Sequence, residues 1–265
     1  MTKRKRPTTL AEQADKHILY QRSVQDAAAS RELMEHFFGA RNARHPNALR
    51  EDFCGTALLC AEWVQSHPQR TATGLDLDPP TLAWARAHNR PRDPQAATRW
   101  QVRRQNVLTP TAQIDFDIIC AFNFSYSVFK QRTVMRQYFE AVHRALAPDS
   151  MFVLDLYGGP DAQFLLTEPR DVDDFEYVWE QARFDPINHD TLCHIHFRFA
   201  DNSEMHEAFT YDWRHWTLPE LKDILTEAGF RHIDVWWDGE EDDGYVIRES
   251  ATNLESWIAY IAAWK

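Results

Sequence analysis

Five short strand-like segments alternate with helical stretches between Ala48 and Pro160, and this alternation constrains the fold of the chain more than any other feature. The predicted strands cover 48–53, 71–76, 99–104, 115–122 and 151–157. The predicted helices between them cover about 57–66, 80–89 and 131–146. Strands that are separated by helices pair in parallel, with the helices packed on the faces of the sheet. We therefore predict an α/β fold.

The segments on either side of this alternation have different patterns. Residues 1–10 are a basic tail that we expect to be disordered, and 11–47 form an N-terminal helical segment. Residues 160–216 are aromatic and alternating, with predicted strands near 175–184, 191–199 and 204–213, and they indicate an antiparallel insertion after the fifth strand. A helix at 218–229, opened by the capping box Thr217 to Glu220, and strands near 231–237 and 257–264 follow. The α/β domain thus comprises 48–159 and 217–265.

Composition and charge exclude several classes of protein. The longest apolar run, 257–264, is much shorter than the ~20 residues of a membrane-spanning helix. No apolar segment follows the basic tail, so we expect no secretory signal, and four widely spaced cysteines fit free thiols in a reducing cytoplasm. The formal net charge of −11, with a basic tail, leaves an acidic body that repels phosphate backbones. We therefore do not expect the body to bind nucleic acid.

Two acidic residues stand at the ends of neighbouring predicted strands. Glu51 and the glycine turn at Gly55 follow the first strand, and Asp76 ends the second, 21 residues after Gly55. Doubly wound folds bind nucleosides beyond the carboxyl ends of such strands. A carboxylate at the tip of the second strand can accept hydrogen bonds from both ribose hydroxyls, which predicts this contact for Asp76.

These motifs resemble the class I S-adenosylmethionine-dependent methyltransferases, over most of the chain from about Leu19 to Lys265. Glu51 matches the acid and Gly55 the central glycine of the family's first motif, whereas Phe53 and Ala57 replace its outer glycines. Residues 74–76 (Gly-Leu-Asp), 146–150 (Leu-Ala-Pro-Asp-Ser) and 228–230 (Ala-Gly-Phe) resemble later motifs. The resemblance implies a Rossmann-like, mostly parallel sheet of the seven-stranded methyltransferase type.

The resemblance also implies a cofactor, S-adenosylmethionine, with S-adenosylhomocysteine as product, and a set of residues that bind it. Asn106 occupies the position that contacts the adenine amino group, and its amide oxygen can accept that bond. The resemblance implies that the helical segment 11–47 is a lid over the cofactor, with Tyr20 and Arg22 near the methionine carboxylate. The alternative is that the stretch around these two residues is an exposed polar loop. The full predicted set is Tyr20, Arg22, Glu51, Phe53, Gly55, Asp76, Leu77, Asn106, Val107, Phe122 and Asn123.

Three further residues are predicted to face the methyl acceptor. Tyr126 follows the fourth strand, where base-modifying relatives carry Asn-Pro-Pro-Tyr, and its alternative role is that of a packing residue. In small-molecule methyltransferases an insertion after the fifth strand roofs the acceptor site, which places Tyr211 and Arg214 there; a dimer interface is the alternative role of the insertion. No motif nominates a catalytic base.

A metal site in the insertion is not expected, although His194, His196 and His206 lie close in the sequence. The strand pattern places His196 opposite Glu207, so a cross-strand polar pair explains these residues better than a metal ion does.

The main rival class is the nicotinamide or flavin dehydrogenases, which share the glycine turn and the acid. Their pyrophosphate needs the close backbone approach that Phe53 and Ala57 deny. We therefore predict a methyltransferase acting on a nitrogen or oxygen of a small-molecule acceptor, without membrane association and with a homodimer as a possible assembly. The alternatives are a protein or RNA methyltransferase that uses the basic tail, and a binding module without turnover.

Overall fold

The computed structural model describes residues 8–110, 115–239 and 244–265. Residues 1–7, which hold most of the predicted basic tail, lie outside the described residues. The chain divides into two compact units. One unit joins the segment up to Asp26 to Gln163–His215, and the other joins Ala27–Ala162 to Trp216–Lys265. We call them the meander unit and the sheet unit.

The helices and strands are numbered in chain order. The helices are α1 (Leu10–Gln13), α2 (Lys16–Val24), α3 (Ala27–Gly39), α4 (Leu58–Ser66), α5 (Pro79–His88), α6 (Pro94–Arg99), α7 (Arg132–Ala145) and α8 (Leu218–Glu227), with short 3-10 helices at Ser125–Val128 and Pro160–Gln163. The strands are β1 (Ala48–Asp52), β2 (Thr71–Asp76), β3 (Trp100–Arg104), β4 (Phe116–Ala121), β5 (Leu146–Gly158), β6 (Leu166–Val172), β7 (Phe175–Phe184), β8 (Asp190–Phe199), β9 (Glu204–Arg214), β10 (His232–Asp238), β11 (Tyr245–Ile247) and β12 (Trp257–Trp264).

The sheet unit is built on one mixed sheet with the strand order β11-β10-β12-β5-β4-β1-β2-β3. Strands β1 to β5 pair in parallel, whereas β12 runs antiparallel to β5 and β10. This arrangement confirms the predicted α/β fold with a mostly parallel sheet. Among the described residues this sheet has eight strands rather than the predicted seven, because the three-residue strand β11 adds an antiparallel edge to β10. A strand of that length is too short to give a periodic signal.

Apart from β11, the predicted elements of the sheet unit agree with the observed ones within a few residues, with two further exceptions. Strand β5 begins at Leu146, which pairs with Phe116 before the register shifts. In the sequence, residues 146–150 resemble a motif of the family rather than a strand. In the structure Asp149 has a left-handed φ angle of 53° within the strand. Helix α6 was not predicted, since it has only six residues.

Apolar side chains hold the helices on both faces of the sheet. Ile118 and Ile119 are neighbours in β4 and belong to different buried clusters, so the two clusters lie on opposite faces. One cluster joins α3 and α4 to the sheet, and the other joins α7 and α8. At the start of α8, the predicted capping box between Thr217 and Glu220 is present.

Strand β1 carries a buried ion pair. The Arg50 guanidinium donates two hydrogen bonds of 2.8 Å to the Asp52 carboxylate, and the Tyr138 hydroxyl donates a third of 2.8 Å to the same carboxylate. Residues i and i+2 of a strand share one face, which explains the pairing. Because each charge is satisfied, the pair is compatible with burial in the core.

The meander unit contains the antiparallel sheet β6-β7-β8-β9, which matches the predicted insertion in kind. Helix α2 packs on it through a cluster that includes Leu19, Phe175 and Phe197. The predicted helical segment 11–47 is therefore not one body, because the boundary between the units falls after Asp26. Strand β6 was not predicted, since its charged sequence with a central Pro169 is typical of an exposed edge.

His196 forms cross-strand contacts with both neighbouring strands, one of them with the predicted residue Glu207. Its Nε2 lies 3.0 Å from Oε2 of Glu180 on β7, and its Nδ1 accepts the backbone N–H of Glu207 at 3.0 Å. The predicted cross-strand contact with Glu207 is thus made through its backbone N–H, at the register shift between β8 and β9, whereas the side-chain partner is Glu180. Within the described ranges, no three His, Cys, Asp or Glu side chains are grouped to hold a metal ion. Over the same ranges, no helix has the length and apolar character to cross a membrane.

Candidate cofactor site

The glycine turn after β1 is built from left-handed residues. Phe53, Gly55 and Ala57 have φ angles of 57°, 51° and 52°. The Cys54 N–H donates to the Leu75 carbonyl at 3.0 Å, and the Ala57 N–H donates to the Cys54 carbonyl at 2.7 Å. The first bond fastens the turn to the end of β2, and the second closes the turn on itself. Two of the left-handed positions carry side chains, so the turn keeps the shape of a glycine-rich loop without two of its glycines.

Asp76 links this turn to the next one. Its Oδ2 accepts the Gly55 N–H at 2.8 Å, and its Oδ1 accepts the Asp78 N–H at 2.9 Å. Each carboxylate oxygen has a second lone pair, so the group can still accept hydrogen bonds from two ribose hydroxyls. That contact stays a prediction. Leu77, which follows Asp76, has an exposed fraction of 56% and forms an apolar surface beside the carboxylate.

The loop after β3 contains the predicted adenine contact. Oδ1 of Asn106 accepts the Leu108 N–H at 2.9 Å, so the side chain closes its own turn, and the Gln105 N–H donates to the Asp76 carbonyl at 3.0 Å. Val107 is buried and packs in the core. The loop is thus tied to the end of β2, and the adenine contact of Asn106 stays a prediction.

Glu51 faces inward, towards the first turn of α4. Its carboxylate accepts the Cys60 N–H at 3.2 Å, and burial raises its pKa to about 7, with the charges of Asp76 and Asp52 acting in the same direction. Its exposed fraction is 8%. In the described residues Glu51 therefore contacts the start of α4, and its role at the cofactor stays a prediction.

Replacing Glu51 by glutamine is expected to stabilise the protein at pH 8 by about 1–2 kcal/mol, and by much less at pH 5. The pKa of Glu51 is higher in the folded than in the unfolded protein, so its favourable contribution is complete below about pH 4.5 and is lost as the pH rises through about 7. Glutamine cannot ionise, and its carbonyl oxygen can still accept the Cys60 N–H. Thermal unfolding of both proteins at pH 5 and 8 tests this expectation. A stability difference that does not change with pH would contradict it.

The loop after β4 contains Phe122 and Asn123. Asn123 and Phe124 both have φ angles of 56°, and their N–H groups donate to the two carboxylate oxygens of Asp155 at 2.7 and 2.9 Å. Sequence reasoning did not identify Asp155. The available signal was its position as the one charged residue in the apolar run 151–157.

Tyr126 was predicted to face the acceptor, and the structure corrects this assignment. Its side chain has no exposed surface, and its hydroxyl donates to the Asp155 carbonyl at 2.6 Å. A side chain that is enclosed and hydrogen-bonded in this way belongs to the core. The alternative role given above, a packing residue, describes Tyr126 better.

Four predicted site residues lie in the meander unit. The Tyr20 ring packs on Phe209 at 4.9 Å, and the Tyr211 ring stacks on Trp213 at 4.4 Å. Arg22 pairs with Asp173 at 3.1 Å and Asp174 at 2.5 Å, and Arg214 ends β9. The roles predicted for Tyr20, Arg22, Tyr211 and Arg214 at the cofactor or acceptor stay predictions.

The space above Gly55 is suited to a bound group. Among the described residues, and apart from Gly55 and its two chain neighbours, no atom would lie within 4 Å of a Cβ added to Gly55 in the turn between β1 and α4. The Asp76 carboxylate lies at the same turn, and the exposed side chain of Leu77 follows it. A nucleoside cofactor fits this arrangement, because the carboxylate can bind its hydroxyl groups and the apolar surface can pack against its flat base.

Comparison with known proteins gives a consistent result. A family model described as a methyltransferase domain matches residues 54–152, which include the glycine turn, Asp76 and the loop after β4. No curated protein shows significant sequence similarity to the chain.

Three solved structures illustrate the likeness in fold. An S-adenosylmethionine-dependent methyltransferase from Clostridium acetobutylicum has a TM-score of 0.68 at 16% identity, with 93% of this chain and 96% of that one covered. An amino pentose methyltransferase from Micromonospora echinaspora has a TM-score of 0.66 at 14% identity, covering 94% and 96%. A sugar N-methyltransferase from a Streptoalloteichus species has a TM-score of 0.65 at 16% identity, covering 95% and 93%. Residues 54–152 therefore match a methyltransferase domain, and the chain has the class I, Rossmann-like fold of these S-adenosylmethionine-dependent methyltransferases.

Proposed function

We propose that the chain binds S-adenosylmethionine at the carboxyl ends of β1, β2 and β4, and that it methylates a nitrogen or oxygen atom of a small-molecule acceptor. The observation that carries the proposal is the fastening of the left-handed Gly55 turn to the Asp76 carboxylate, under a space that the chain leaves open. The match of residues 54–152 to a methyltransferase domain supports the same conclusion.

The proposed roles of the residues follow from their positions. Asp76 binds the ribose hydroxyls, Leu77 packs against the adenine, and the Gly55 turn admits the nucleoside close to the backbone. S-adenosylmethionine, when bound, supplies a methyl carbon on a sulfonium that is already a good leaving group. The chain therefore contributes chiefly by holding the acceptor in line with that carbon and excluding water. If the acceptor arrives as an ammonium, it must first lose a proton.

A small-molecule acceptor fits the charge of the chain. The net charge of −11 disfavours a polyanionic acceptor and attracts a cationic one, such as an amine that is protonated in solution. Two of the structurally similar proteins are described as acting on an amino pentose and as a sugar N-methyltransferase. An amine on a small polar molecule is thus the acceptor that we would test first.

Incubation with labelled S-adenosylmethionine and a metabolite extract should transfer label to a small molecule. The wild-type protein should bind S-adenosylmethionine in calorimetry and should not bind NAD at micromolar concentrations. Identification of the labelled product by mass spectrometry then gives the acceptor and its modified atom. Label in protein or RNA, removed by deletion of residues 1–8, would instead support a macromolecular acceptor. Cofactor binding without label in any fraction would support a binding module, and micromolar NAD binding would refute the class.

A further inference from the structure

Asp155 is the buried carboxylate that connects β5 to the loop after β4. Ala121, the last residue of β4, pairs with Leu154 of the parallel strand β5. The loop that follows Ala121 therefore starts beside Asp155, which follows Leu154. One oxygen of Asp155 accepts the Asn123 N–H at 2.7 Å, and the other accepts the Phe124 N–H at 2.9 Å. The exposed fraction of Asp155 is 7%.

The loop held by this carboxylate has an unfavourable backbone conformation. Asn123 and Phe124 are consecutive left-handed residues, each with a φ angle of 56°. Asparagine tolerates that region, whereas a phenylalanine adopts it only when other contacts impose it. The Tyr126 hydroxyl adds a further contact, donating to the backbone carbonyl of Asp155 at 2.6 Å. Asp155 is thus bonded to the loop through both its side chain and its main chain.

We propose that Asp155 is a positioning residue of the cofactor site, whose ionised carboxylate fixes the loop Phe122 to Phe124 beside the glycine turn. Strand β1 lies between β2 and β4 in the sheet, and Glu51 pairs with Cys120, so the loops after β1 and β4 leave the sheet side by side. A shift of the second loop would therefore change the wall of the space above the first. This inference rests on the proposed function.

Among the described residues, the titratable groups whose pKa the Asp155 charge raises are neutral hydroxyls and a thiol. They are Tyr126, in the short helix after the loop, Cys120 on β4, Tyr260 on β12 and Tyr245 on β11. Burial is the first cause of the raised pKa of each group, and the Asp155 charge adds to it. Burial likewise raises the pKa of Asp155 to about 7, against the opposing effect of the two N–H donors.

Protonation of Asp155 should loosen the loop. The ionised carboxylate offers one oxygen acceptor to each of the two N–H groups. The protonated acid keeps one carbonyl oxygen as acceptor, and its other oxygen carries an O–H donor. An Asp155→Asn variant imitates the protonated form, since its amide has one oxygen and one NH₂ group of the same shape. Wild-type protein at pH 6 should therefore resemble the variant, and the two should differ most at pH 8.

The test compares wild-type protein with Asp155→Asn by two measurements at pH 6 and pH 8. Hydrogen exchange of peptides that contain residues 120–128 reports whether the loop is ordered. Calorimetry with S-adenosylmethionine reports the affinity. At pH 8 the variant should exchange faster in this segment and bind about three- to tenfold more weakly. The wild-type protein should gain affinity between pH 6 and pH 8, and this gain should be smaller in the variant. Any effect of Glu51 ionisation on the affinity is the same in both proteins.

Asp117→Asn is the matched control. Oδ2 of Asp117 also accepts two backbone N–H groups, from Asn47 at 2.7 Å and Ala48 at 2.9 Å, but it lies near the start of β4, at the opposite end of the sheet. This variant should lose stability without losing cofactor affinity. Equal affinity of wild-type protein and Asp155→Asn at pH 8 would overturn the inference, as would unchanged exchange of 120–128. Wild-type protein that binds no S-adenosylmethionine would overturn the proposed function as well. If Asp155→Asn does not fold, the wild-type protein alone decides. Equal cofactor affinity and equal protection of residues 120–128 from exchange at pH 6 and pH 8 would then overturn the inference.

Discussion

Replacing Asp76 by alanine is expected to weaken the binding of S-adenosylmethionine by about 1.5–3 kcal/mol, or roughly ten- to a hundredfold, as for the loss of hydrogen bonds to a charged group. Two effects contribute. The variant has no carboxylate for the ribose hydroxyls, and it leaves the N–H groups of Gly55 and Asp78 without the acceptor that aligns them. Calorimetry with S-adenosylmethionine on the folded variant measures the sum.

Two further variants separate the contributions. Asp76→Asn keeps one oxygen acceptor, so its affinity should lie between those of wild-type protein and Asp76→Ala. Asp78→Ala is the matched control, because Asp78 accepts the Thr81 N–H as the N-cap of α5 and lies only two residues away. Its loss should cost about 1 kcal/mol of stability and leave the affinity nearly unchanged. An Asp76→Ala variant that binds as well as the wild-type protein would remove Asp76 from the site.

The sequence predicted the parallel sheet and the glycine turn because both rest on local patterns. Strand-length apolar segments are each set by a few consecutive residues, and so is the capping box at Thr217. The positions of Gly55 and Asp76 follow from the same patterns, since parallel strands end at one edge of the sheet.

The remaining features depend on contacts between distant residues. Asp155 meets Asn123 across 32 positions of the chain, and nothing near Asp155 in the sequence indicates that its partners are two left-handed N–H groups. Tyr126 follows a conspicuous motif, yet its burial depends on β5. His196 contacts Glu207 through the backbone N–H of a register shift and Glu180 through a side chain on the other neighbouring strand, and strand alternation alone predicts neither detail.

Gly55→Val is expected to abolish detectable binding of S-adenosylmethionine while the sheet stays folded. A β-branched side chain at a φ angle of +51° costs about 1–3 kcal/mol of backbone strain, so the variant should unfold at a lower temperature. Beyond the two residues next to Gly55, no atom in the described part of the chain lies within 4 Å of the added Cβ. The valine methyl groups would instead occupy the space that we assign to the nucleoside. Calorimetry and thermal unfolding of the same sample measure the two effects.

Gly74→Ala provides the opposite pattern and thus the control for Gly55→Val. A Cβ at Gly74 would lie 2.7 Å from Sγ of Cys54 and 3.3 Å from Sγ of Cys60, in the buried core beneath the turn. This smaller substitution should therefore destabilise the fold through overpacking, by about 1–3 kcal/mol, and should weaken binding only as far as the turn is displaced. Loss of binding in Gly55→Val with retained binding in folded Gly74→Ala would locate the nucleoside above the turn rather than below it. Normal binding by folded Gly55→Val would place the cofactor elsewhere in the chain.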